Sequence, residues 1–150
     1  MFNNPTRDRW SLLTYKAQQK VNAQQESLAA AQQQLEQFKA SEQRLSAMLL
    51  EYQSQHASNV AQSHLVADAL NQRQFMAQLT QLVTHAKQKV GAAHAHVAQV
   101  RKALLAAQLE LSKCEKLEAH ARAQERVQEK RREQRAMDDL AIVRHQWRQV

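Results

Sequence analysis

"EYQSQHASNVAQSHL", residues 51–65, interrupts an otherwise uniform chain. On either side Ala, Leu, Gln and charged residues recur at helical spacing, whereas here Ser, His and Asn crowd together. The stretch holds neither Gly nor Pro, so no residue in it forces a turn. Whether it is a kink, an interdomain linker or a reversal decides the fold, and the sequence on its two sides answers the question.

Upstream, Asn4 can cap a helix that has Pro5 at its first position and Asp8 against the positive end of the dipole. Two rows of residues then step by seven. One is Thr14, Val21, Leu28, Leu35, Glu42, Leu49; the other is Trp10, Ala17, Gln24, Ala31, Phe38, Leu45, Tyr52. Their offsets of three and four make a coiled-coil seam, interrupted by the polar Thr14, Gln24 and Glu42. Downstream, one row reads Met76, Val83, Val90, Val97, Leu104, Leu111 and its partner Leu79, Ala86, Ala93, Val100, Ala107, Cys114. This second seam carries no charged or amide residue, and its small side chains allow two helices to approach closely.

Two amphipathic segments joined by a short polar one most simply fold back on each other. A turn centred near residues 60–63 places Trp10 opposite about residues 110–116. That is where the second seam is expected to fail, since the positions after Cys114 are Glu118, Ala121 and Glu125. Seams that end level with each other describe a hairpin, so residues 51–65 are read as a reversal. The expected fold is all-α: two long helices in an antiparallel coiled-coil hairpin, the second overhanging at its C-terminal end. Helix 1 is placed at about 5–57, the turn at about 58–63 and helix 2 at about 64–148, in a single coiled-coil domain over 1–150. Asn59 is expected to end helix 1, and Ser58 or Ser63 to cap helix 2.

Residues 118–150 have no partner in this scheme and would project roughly 45–50 Å if helical throughout. They mix both signs of charge, with pairs three or four apart such as Glu118/Arg122, Arg126/Glu129, Glu129/Arg132 and Arg135/Asp139. Beyond them Ala136, Leu140, Val143 and Trp147 form a short apolar stripe. It reads either as a partner-binding face or as part of a frayed tail.

Composition agrees with few, long elements. At 150 residues one domain is expected. A single Gly and a single Pro leave almost no turn chemistry, which argues against a sheet or a many-helix globule. With 5% aromatic residues, burial should run along a seam rather than fill a bulky core. The net charge of +7 and pI near 9.9 favour an anionic partner: acidic protein, lipid or nucleic acid. The single Cys114 cannot form an internal disulfide. Residues 1–20 hold Arg7, Asp8, Arg9, Lys16 and Lys20 without an apolar run, so no signal peptide is expected. No apolar stretch approaches the roughly 20 residues of a membrane span, and a soluble, cytoplasmic protein is expected.

Catalysis finds little to work with: no Gly-rich phosphate loop, no nucleophile elbow and no cleft-forming topology. No catalytic, cofactor-binding or metal-binding residue is assigned. His94 and His96 are two apart and point to different faces of a helix. His64 and Asp68 can pair locally, and Cys114 belongs to a core row. Gly91 is either a tolerated surface residue or a bending point. Lys130, Arg131, Arg132 and Arg135 could touch phosphates, but interleaved acids and the lack of a stacking platform favour a solvated or protein-binding helix over nucleic acid. For Tyr52 and Phe75, seam packing and a shared docking surface near the turn both stay open.

The layout resembles the FliJ family of the bacterial flagellar type III export apparatus. "LLEYQSQ" (49–55) is similar to the hydrophobic-acidic-Tyr-Gln stretch closing that family's first helix, and "QFMAQL" (74–79) to the aromatic opening of its second. "RREQRAMDDLA" (131–141) is similar to its charged C-terminal segment with paired acids. One departure is His56, at a position where the family pattern admits a second Tyr. The resemblance implies a non-enzymatic stalk and adaptor, similar to the stalk subunit of rotary ATPases, with no cofactor. Its implied partners are the hexameric export ATPase, the cytoplasmic domain of the FlhA-type export gate, and export chaperones. It implies a peripheral place at the inner membrane. Carried over residue by residue, gate binding falls on Leu49, Tyr52, Phe75 and Leu79. Analogy with the rotary stalk puts ATPase-ring binding on Trp10, Arg126, Arg131 and Arg135. The alternatives are a YscO-like stalk of a virulence type III secretion system and a generic basic coiled-coil tether binding lipid or nucleic acid. A monomer is expected of the hairpin, while an intermolecular four-helix assembly could bury the same rows.

Overall fold

The computed structural model describes residues 5–59 and 66–150. Two helices occupy them: α1 over Pro5–Asn59 and α2 over Val66–Arg148. The residues that build them are mostly Ala, Leu, Gln, Glu, Lys and Arg, which lose little side-chain freedom in a helix. Each helix carries an acid in its first turn, Asp8 and Asp68, and a base in its last, His56 in α1 and His145 with Arg148 in α2. The acids at both starts and Arg148 at the end of α2 oppose the helix dipole. Hydroxyls inside the helices are satisfied locally: Thr14, Thr80 and Thr84 each donate to the carbonyl four residues back. Among the described residues there is no strand.

The two helices pack against each other antiparallel. The direction is plain within residues 24–104, where Tyr52 meets Phe75 while Phe38 meets Lys89. The number rises on one helix as it falls on the other. Both row pairs of the sequence form the seam: every position from Trp10 to Tyr52 and from Met76 to Cys114 in those rows is buried or half-buried.

Two compact units divide the helix pair. In Gln24–Leu104 the core is Ala31, Leu35, Ala93, Val97 and Val100, with Leu28, Phe38 and Val90 packed against it. Alanines on both helices leave room for the larger Leu and Val side chains, so burial is reached at close approach. In the unit formed by Met1–Ala23 and Leu105–Val150, the buried residues are Ala17, Val21, Cys114 and Ala121. No large side chain among the described residues is completely enclosed, as a two-helix seam has only one covered side. The polar intrusions sit in half-buried places. Thr14 bonds back to the Trp10 carbonyl at 2.9 Å, and Glu42 accepts from Ser46 Oγ at 2.8 Å.

Three expectations need correction. First, the seam does not stop at Cys114: Ala121 is 8% exposed, and Glu118 and Glu125 are half-buried. Their carboxylates are met by arginines, Arg122 Nη2 at 2.6 Å from Glu118 and Arg7 Nη1 at 3.7 Å from Glu125. An acid can therefore occupy a row position where a long base reaches it. The uncovered part of α2 begins at Arg126, and its helical length to Arg148 is about 35 Å. Second, with Arg7 beside Glu125, Trp10 comes level with about residue 122 rather than 110–116. Third, Ser58 does not cap α2: it lies inside α1, and its hydroxyl donates to the carbonyls of Ser54 and Gln55 at 3.2 and 3.0 Å. The expected cap Asn4, the reversal near 60–63, Ser63 and His64 lie outside the described residues.

Candidate functional site

The rings expected near the turn do meet. Tyr52 occupies a seam row of α1, and Phe75 stands one position before the Met76 row of α2. Their centroids are 4.7 Å apart with planes tilted by 56°, within the tilted arrangements that aromatic quadrupoles prefer. Tyr52 is half-buried and Phe75 is 45% exposed, so the pair is packed on one side and open on the other. Leu49 is half-buried. Leu79 is 3% exposed and belongs to the seam, where it has no free side-chain surface. Of the four residues, Phe75 is the most exposed, Leu49 and Tyr52 are half-buried, and Leu79 is buried in the seam.

Two further features near this end escaped the sequence reading. His56 Nδ1 donates to Gln72 Oε1 at 2.7 Å, tying α1 to α2 one turn beyond Tyr52. Only the cross-helix register reveals this pair. Beginning seven residues from the rings on each helix, Phe38, Ser41, Leu45, Leu82, His85, Ala86 and Lys89 line a groove of about 360 Å³, with Leu82 53% exposed. Lys89 Nζ lies 5.9 Å from the centroid of Phe38, at the outer limit of a cation–π contact. The signal was present in the chain: Phe75 and Leu82 are seven apart, one position before the seam row.

The second set lies in the other unit. Trp10 is half-buried, whereas Arg126, Arg131 and Arg135 are all exposed on α2. Arg131 borders a shallow depression of about 370 Å³ with His120, Ala123, Gln124, Val127 and Gln128. Stepping by seven from Glu118 and Ala121 leads through Gln128, Arg132, Arg135, Asp139 and Ile142, so the seam rows become mostly polar after Glu125, and Ile142 is 56% exposed. The apolar stripe of Ala136, Leu140, Val143 and Trp147 lies one residue further round, about 100° from those rows. It is helical and uncovered, Leu140 being 60% and Trp147 79% exposed. The stripe is therefore a separate face of α2 and not a continuation of the seam.

Cys114 is buried and unpaired in the seam. Among the described residues no group of three metal-ligating side chains comes together. Gly91 has open space where a Cβ would stand, and α2 runs through it without a break. No described helix is long and apolar enough to cross a membrane.

A family model described as the flagellar FliJ protein matches residues 8–149. No curated protein and no solved structure matches the chain. The match spans both helices, the ring pair and the charged C-terminal segment. On that ground the chain belongs to the FliJ family, whose members are components of the flagellar type III export apparatus.

Proposed function

We propose that this chain is a non-enzymatic stalk and adaptor of the flagellar export apparatus, working as a single coiled-coil domain over 1–150. In this reading the end bearing Trp10, Arg126, Arg131 and Arg135 binds the hexameric export ATPase. The Tyr52–Phe75 end, with Leu49 beside it and Leu79 beneath, binds the cytoplasmic domain of the export gate. Empty export chaperones are handled by the same body, which sits peripherally at the inner membrane as a monomer and needs no cofactor. The observation that carries the gate assignment is the ring pair: two aromatic side chains 4.7 Å apart, one of them 45% exposed, on a rigid helix pair. Half-exposed aromatics on rigid elements are the usual anchors of protein interfaces.

The test is the double variant Tyr52→Ala, Phe75→Ala, with helicity followed by circular dichroism and gate-domain binding by calorimetry. Helicity should hold while affinity falls by roughly tenfold or more, the scale of one lost interface anchor. Unchanged affinity would sink the site assignment. Family membership favours the flagellar reading over a YscO-like virulence stalk.

A further inference from the structure

The hairpin of residues 24–104 has two unlike flanks. One carries the ring pair and the groove bordered by Leu82. The other carries a groove of about 480 Å³ whose lining includes Gln32, Glu36 and Lys39 from α1 and His94, Ala98 and Arg101 from α2. The two linings share no residue, and neighbours such as Phe38 and Lys39 divide between them.

On this second flank α2 presents a column at heptad spacing: Arg73, Thr80, Lys87, His94, Arg101. Arg73 follows the half-buried Gln72, the other four each stand one position after a seam residue (Leu79, Ala86, Ala93, Val100), and all five are exposed. Arg73, Lys87 and Arg101 are each 14 residues apart, about 21 Å along the helix. Between Ala69 and Leu109 α2 contains no Asp or Glu at all, while it holds Arg73, Lys87, Lys89, Arg101 and Lys102. Of the carboxylates on α1, Glu36 is engaged by Lys39 at 3.6 Å and Glu42 by Ser46. Among the described residues no carboxylate lies within ion-pair distance of Arg73, Lys87 or Arg101. In the 118–150 segment, by contrast, acids and bases recur three and four apart in the sequence, and Glu118 is met by Arg122 at 2.6 Å.

We propose that this column is a docking site for a third helix, supplied by a partner protein, whose face carries carboxylates at heptad spacing. Charge complementarity argues for the occupant, because residues flanking a coiled-coil seam select partners through interhelical ion pairs. The spacing argues for a helix rather than a compact anion. Unpaired cations at multiples of seven along a supercoiled helix stay in line only for a partner that shares the same repeat. The adjoining groove gives such a helix a place to lie, with Gln32 and His94 available for polar contacts. The surface is distinct from the ring pair assigned to the gate, so the two proposals stand or fall separately.

The probe is a synthetic 28-residue helical peptide, neutral but for one face bearing Glu every seventh residue. A second peptide of the same composition has those Glu residues scattered around the helix. Binding to the full chain is read by fluorescence anisotropy at low and physiological salt. The triple variant Arg73→Gln, Lys87→Gln, Arg101→Gln is compared with a control of equal charge loss on exposed positions elsewhere, Lys20→Gln, Lys113→Gln, Lys116→Gln. The patterned peptide should bind the wild type about tenfold more tightly than it binds the triple variant, a loss the control does not share. It should also bind about tenfold more tightly than the scattered peptide. Equal loss in both variants, or equal binding of both peptides, would reduce the column to bulk positive charge and overturn the proposal. Preferential loss of duplex DNA or anionic-vesicle binding in the triple variant, without peptide discrimination, would overturn it in favour of a phosphate ligand.

Discussion

Residues 69–109 and 126–148 belong to one helix, yet different forces hold them. The first stretch has no carboxylate, and its Leu, Val and Ala rows are covered by α1. The second is exposed at every position, with both signs of charge spaced for contacts within the helix. Gln134 Nε2, for example, donates to Asp138 Oδ1 at 3.1 Å. Burial in the first case removes apolar area from water at about 25 cal/mol per Å². In the second, contacts three or four residues apart add a few tenths of a kcal/mol each and bury almost nothing. The exposed stretch stays helical without burial, whereas the fold depends on the covered rows.

The largest expected effect separates the two regions directly. Leu35→Ala, in the α1 row that covers the first stretch at Ala93, Val97 and Val100, should cost about 2–4 kcal/mol in urea denaturation followed by circular dichroism. Leu140→Ala, on the exposed stretch, should change stability by less than about 0.5 kcal/mol. Similar losses at both sites would mean that the C-terminal stretch is covered and would break the comparison. A smaller effect is expected at the cross-helix pair: His56→Ala should cost about 1 kcal/mol by leaving Gln72 without its partner. The double variant with Gln72→Ala should be no worse than the sum of the singles, as checked by a double-mutant cycle.

Gly91→Ala tests the backbone of the covered stretch in the opposite direction. Its added methyl meets no atom within 4 Å, so the helix should gain about 0.5–1 kcal/mol, raising the urea midpoint. A loss instead would show that Gly91 serves as a bending point. The smallest effect belongs to the charge pairs. Glu118→Gln removes the charge from the 2.6 Å contact with Arg122 and should cost about 0.5 kcal/mol at low salt, shrinking as salt is added.

Much of the seam was legible because heptad spacing is a local property. Trp10, Val21, Leu35, Leu79 and Val97 could be assigned to rows without knowing what covered them. The end of the seam was not legible in the same way. Glu118 and Glu125 look like the end of an apolar pattern, and only the reach of Arg122 and Arg7 makes them tolerable there. The candidate surface was half legible. Tyr52 and Phe75 could be singled out as rings near the turn, while Leu79, already a row residue by its spacing, is 3% exposed in the seam. The His56–Gln72 bond had no signal in either helix alone, because it depends on a register of the two helices that is set elsewhere along the seam.

By itself, the sequence determined that this protein is two long helices. Heptad rows and the scarcity of Gly and Pro follow from residue order, and so does the charge pattern that supports an exposed helix. The tertiary structure decided the register between α1 and α2. Register fixes which rings stack, which acids find a base, how far the seam runs and which columns of α2 face outward on each flank. The physical reason is that a seam of repeating Leu, Val and Ala specifies the buried face strongly but its axial alignment weakly. Alignment comes from contacts between residues far apart in the chain, such as Tyr52 with Phe75 and Arg7 with Glu125.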